Sequence, residues 1–128
     1  MYELFNHAHK GLAMLSVLLT IGWAGVVLFA PRAAAGLVRT QRMVYVGAMA
    51  STGLTGVSGL VIVALALGAW LVMLFPWLGV LAVVGHGIAG VRSRKALVAG
   101  NRAGALVAVV LQILFLVAAY GLMTVKPF

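Results

Sequence analysis

An all-α bundle of four transmembrane helices is the fold this sequence predicts, and three observations carry it. Of 128 residues, 65% are hydrophobic and only 8% charged, whereas a soluble domain carries about 25% charged residues. The uncharged runs are each long enough to cross a bilayer, and one is long enough to cross it twice. The Lys and Arg residues fall mainly in two short clusters between those runs.

The first run, residues 11–30, holds no charged side chain. At about 1.5 Å per residue it reaches about 30 Å, one hydrocarbon core. Pro31 ends it. The preceding MYELFNHAHK lacks the basic start of a secretory signal, and Pro31-Arg32 is a poor cleavage context, so a retained helix is expected. Arg32, Arg39 and Arg42 then occupy a polar connection over residues 31–42.

Residues 43–91 contain no Lys, Arg, Asp or Glu. One helix of that length would extend about 73 Å, more than twice the membrane, so a hairpin is required. Gly68 and Trp70 put its reversal at residues 67–70, because glycine favours helix ends and Trp the headgroup level. The second and third spans are therefore 43–66 and 70–91, the third kinked at Pro76. A second basic loop, 92–102, carries Arg92, Arg94, Lys95 and Arg102, with Gly100-Asn101 as turn residues. The fourth span is 103–125, and Lys126 sits at the following interface.

The two basic loops share one side and hold seven cations, against Lys10 and Lys126 on the other. Positive-inside bias predicts cytoplasmic loops, both ends outside, and the bacterial inner membrane as location. This topology accounts for the net charge of +8 without nucleic acid as a partner. The arginines and Lys95 also face anionic headgroups, so the lipid bilayer is the expected partner. Cysteine is absent, which excludes thiol catalysis and thiolate metal sites. The single acid, Glu3, lies before the first span, so paired carboxylates and an intramembrane carboxylate relay are excluded too.

Small residues mark where helices approach closely in lipid, which offers no hydrophobic drive for association. Gly47, Ser51, Thr55 and Gly59 recur every four residues along span two, beside a row of Ala48, Thr52 and Gly56. The predicted role is helix packing at the bundle centre, with the hydroxyls bonded to their own helix or to a neighbour.

Three histidines are the candidate cofactor-binding residues. His7 and His9 precede span one, and His86 lies about 20 Å deeper. Two residues apart on a helix, His7 and His9 diverge by about 200°, whereas an extended tail presents both on one face. One haem iron cannot be reached from both levels within one copy. His86 is alternatively a packed residue paired with a carbonyl or with Gln112. Trp23, Trp70 and Trp77 are read as interface anchors or packing residues.

The run LFNHAHKGLAMLSVLL, with His9 seven residues before Ser16, resembles the start of the SirB family of small four-helix bacterial membrane proteins. GVSGL in span two, Trp70-Leu71, Gly85 and the turn Arg92-Ser93-Arg94 are similar to that family's outline. Where the family carries an intramembrane Arg, Asp and Lys, this chain has Trp23, Thr52 and Leu74. The resemblance implies a helical bundle associated with regulation, without a defined chemistry.

The expected function is a non-enzymatic accessory, structural or regulatory subunit, free of cofactor, that meets another membrane protein or a second copy of itself. The alternative is a redox-associated subunit binding haem b or quinone near the outer surface through the histidines. A small transporter or channel ranks last, since the biased loop charges oppose dual insertion and no carboxylate is present to couple protons.

Overall fold

A computed structural model of the chain describes residues 2–29, 37–65 and 72–125. Among these the chain forms four helices: α1 Tyr2–Phe29, α2 Arg39–Leu65, α3 Leu74–Val98 and α4 Arg102–Val125. Each is long and apolar enough to cross a membrane. The protein is thus all-α, with the build of a multi-pass membrane protein.

Neighbours in sequence are neighbours in space. α1 packs along α2 and α3 along α4, while smaller contacts of α2 with α3 and of α1 with α4 close the ring. The polarity of the bundle is inverted relative to a soluble one. Val107, Val110, Leu114, Val117 and many other large apolar side chains point outward. Ser16, Thr20, Ser51, Thr52, Ser58, His86, Ser93 and Gln112 are buried. Soluble monomers rarely show contiguous apolar patches above a few hundred Å², and an outward apolar surface of this kind is what a membrane-spanning bundle presents.

The helices overrun the predicted spans. α1 begins at Tyr2, so His7, His9 and Lys10 belong to a continuous helix and not to an extended tail. α3 continues to Val98, which places Arg92, Arg94 and Lys95 on its last turns instead of in a loop. Cations are favourable near a helix C-terminus, where they face the negative end of the macrodipole. The connection to α4 shrinks to a Schellman turn. Gly100, at φ 82°, donates to the Leu97 carbonyl, and Asn101 donates to that of Ala96. The Asn101 side chain then caps α4 by accepting from the Gly104 amide at 2.9 Å.

Pro76 does not kink a span. α3 starts at Leu74, so Pro76 lies in its first turn, where the missing N–H would have no intrahelical partner. The expected reversal at 67–70, Pro31, Arg32 and Lys126 lie outside the described residues.

At the end of the bundle that carries the cations, Trp23, Val27, Ala105 and Val109 form a buried apolar cluster. The Trp23 ring packs on Tyr45 at 4.9 Å and 57°. The Arg94 guanidinium lies 5.5 Å above the Tyr45 ring. Arg102 donates to the Leu28 carbonyl at 3.2 Å, tying the start of α4 to the end of α1.

Candidate functional site

One face of α1 organises the interior. Positions 9, 16, 20, 23 and 27 are spaced by seven, four, three and four residues, so they fall on one side of a 3.6-residue helix. Val27 closes that face in the apolar cluster. The other four each meet a polar group from a neighbouring helix, forming a column over about 21 Å of helix axis.

At the level nearest the start of α1, His9 Nδ1 lies 3.0 Å from the Thr55 carbonyl oxygen and 2.8 Å from Ser58 Oγ. A carbonyl only accepts, so Nδ1 carries the proton. Ser58 in turn donates to the same carbonyl at 2.9 Å. Gly59 makes room for this ring, since a Cβ there would sit 3.2 Å from His9 Cε1. His7 is exposed, on a different side of the helix.

Two turns further along, the Ser16 and Thr52 hydroxyls are hydrogen-bonded. Thr52 donates its proton to the Ala48 carbonyl at 2.8 Å, so Ser16 is the donor between them. Thr20 Oγ1 then meets His86 Nε2 at 3.1 Å, joining helices that face each other across the ring. At the last level the Trp23 indole N–H donates to Ser93 Oγ at 2.9 Å. The Ser93 hydroxyl is directed at the Gly90 carbonyl, 2.7 Å away, and at Gln112 Oε1, 3.3 Å away.

The small-residue rows of α2 divide between neighbours. A Cβ on Gly47 would approach Leu19 of α1 to 3.0 Å, and one on Gly56 would approach Val83 of α3 to 3.1 Å. Ser51 and Thr55 donate to carbonyls of their own helix, at Ala48 and Ser51. Hydroxyls satisfied in this way cost little to bury and still accept from a partner. Thr52 and Ser58 do both.

The column brings His9 and His86 onto the same side of α1 at levels eleven residues apart, from position 9 to position 20, which is about 16 Å of axis. A single iron between two imidazoles would need both rings at one level. His86 meets Thr20, not Gln112. Among the described residues no three His, Cys, Asp or Glu side chains converge where they could hold a metal ion. Arg39, Arg42, Arg92, Arg94 and Lys95 are exposed at one end, together with the half-buried Arg102.

Sequence reasoning passed over Ser16, Thr20 and Ser93 as site residues, and read Trp23 as an anchor or packing residue. A signal was present: the heptad-like spacing of His9, Ser16, Thr20 and Trp23 on one helical face. Nothing in the spacing named the partners, which come from α2 and α3. No protein-family model, no curated protein and no solved structure matches this chain.

Proposed function

We propose that this protein is a non-enzymatic accessory or regulatory subunit of the bacterial inner membrane, related to the SirB-like bundles that its N-terminal run resembles. Both ends face outward and the cationic end faces the cytoplasm. The observation behind this reading is the buried column, in which four side chains of α1 each bond a neighbouring helix. His9 holds α2, Ser16 holds α2, Thr20 holds α3, and Trp23 holds α3. Such bonds join helices in lipid where hydrophobic attraction is absent. The outer faces are left apolar for lipid, for another membrane protein or for a second copy of the chain.

The orientation rests on Arg39, Arg42, Arg92, Arg94, Lys95 and Arg102, which cluster at one end of the bundle. A phosphatase reporter fused after residue 128 should be active, since that enzyme works only outside the cytoplasm. An inactive phosphatase with an active cytoplasmic reporter would overturn it.

The redox reading, with haem b or quinone held by His7, His9 or His86, makes a different prediction. Its signature is a Soret band in detergent-purified protein that shifts on dithionite reduction. A featureless visible spectrum supports the accessory-subunit reading over haem. A band lost in the His86→Ala or His9→Ala variant would reverse that order.

A further inference from the structure

We infer that the bundle centre binds one neutral oxygen acceptor, a water or the carbonyl of a lipid-soluble molecule, between His86 Nδ1 and Gln112 Nε2. This rests on the bonding pattern inside the bundle and does not depend on the accessory-subunit reading. His86 is 1% exposed and Gln112 is fully buried, yet His86 Nδ1 and Gln112 Nε2 have no hydrogen-bond partner. In a hydrocarbon setting, an unpaired polar atom retains the full desolvation cost of its burial.

The donor count identifies what fits there. The Thr20 hydroxyl has His86 Nε2 as its hydrogen-bond partner. A buried hydroxyl proton needs an acceptor, so Thr20 donates and His86 Nε2 is bare. The neutral ring then carries its proton on Nδ1. Gln112 is oriented from its other atom, because Oε1 faces the Ser93 hydroxyl and leaves Nε2 with its two protons turned away. Both unpartnered atoms are therefore donors. Two buried donors on facing helices call for an acceptor with two lone pairs, such as a water or carbonyl oxygen.

Gly90 brings the Gln112 amide to the same face of α3 as His86. A Cβ on Gly90 would lie 2.8 Å from Gln112 Nε2. Gly90 is one helical turn beyond His86, on the same face of α3. The Gln112 amide thus lies against α3 one turn beyond His86, where the missing side chain at Gly90 admits it. No charge is demanded of the ligand, since neither donor is cationic when His86 is neutral.

The test is nuclear magnetic resonance on the full chain, labelled with 15N-histidine, in lipid nanodiscs. His86 should show a protonated Nδ1 and a bare Nε2, with the Nδ1 proton hydrogen-bonded to the oxygen of water or of added menadione. A cross-peak to water that persists with excess menadione identifies the source as water. Loss of that peak on adding menadione, with a lowered menadione carbonyl stretch, identifies a carbonyl ligand. Gln112→Leu removes the second donor and should weaken either signature several-fold, while the His9 resonances, at a distant level, stay in place as the control for folding. Two results overturn the inference, and both can be read in the unsubstituted protein. One is an Nε2-protonated ring. The other is an Nδ1 proton with neither water nor menadione contact, bonded directly to a Gln112 amide turned by 180°.

Discussion

The α1–α2 seam and the α3–α4 seam solve the same problem differently. Both join antiparallel neighbours whose outward faces are apolar, and within lipid such side chains would gain nothing by packing together. Along α1–α2 the joints are polar: His9 to Thr55 and Ser58, and Ser16 to Thr52, with Gly47 taking Leu19 and Gly59 taking His9. Along α3–α4 there is a long polar contact, Ser93 to Gln112 at 3.3 Å, and the closest fit is steric. A Cβ on Gly85 would lie 2.5 Å from the Phe115 ring, so the glycine forms a socket for the aromatic edge. Beside it an apolar groove of about 490 Å³ runs between Leu78, Leu81, Ala82, Phe115, Ala118 and Leu122. The difference teaches that close packing and hydrogen bonding are alternative means of holding helices in lipid. A glycine is needed in either case to bring the elements near enough.

Breaking the steric seam should have the largest effect. Gly85→Leu puts branched carbon where the Phe115 ring lies, and overpacking of this kind costs about 1–3 kcal/mol. Thermal unfolding in detergent should fall clearly, and Phe115→Ala in the same chain should restore part of the loss. Equal stability of Gly85→Leu and the unsubstituted protein would mean that the socket contributes nothing.

The link between the two seams comes next. Ser93→Ala strips the Trp23 indole N–H of its acceptor and leaves a buried donor unpaired, at a cost of about 1–3 kcal/mol. Indole emission from Trp23 should change together with the unfolding midpoint, which a remote packing defect would not produce. Ser93→Thr keeps the hydroxyl and should preserve the emission.

Thr52→Val is expected to do least. Ser16 loses its partner across the seam, but a helical serine can turn to a carbonyl of its own helix. Interhelical bonds of this class average about 0.6 kcal/mol in membranes. A Thr52→Val loss matching that of Ser93→Ala would show that the polar seam is cooperative, and would erase the difference between the two seams. A cross-check is the double substitution Ser16→Ala with Thr52→Val, which should cost no more than the larger single change.

The particular residues show how far each level of structure was legible. Four spans could be counted from the runs alone. The pairing of Ser16 with Thr52 could not, because each hydroxyl had its own helix's carbonyls available as well. Pro76 read as a kink because the third span was begun at residue 70, whereas α3 begins at Leu74 and makes it a first-turn proline. Arg92, Arg94 and Lys95 read as a loop because charge marks the edge of the hydrocarbon, although a helix need not stop where the lipid does. For His86 the sequence offers a carbonyl or Gln112 as partner, the latter because both fall at a similar depth in their spans. Depth alone does not say which way a side chain leaves its helix, and His86 turns to Thr20 across the bundle.

What the sequence by itself determined is the class: all-α, four helices of spanning length, with the cations gathered in two clusters. The physical reason is that a backbone in lipid must satisfy its own hydrogen bonds, which leaves helix length and hydropathy as the governing variables. What only the tertiary structure decided is the interior: the polar face of α1, the division of α2's glycines between α1 and α3, and the two unpartnered nitrogens of His86 and Gln112. Those depend on rotation and axial offset between helices. Both are set by steric fit at positions such as Gly85 and Gly90, which an apolar run does not encode in its composition.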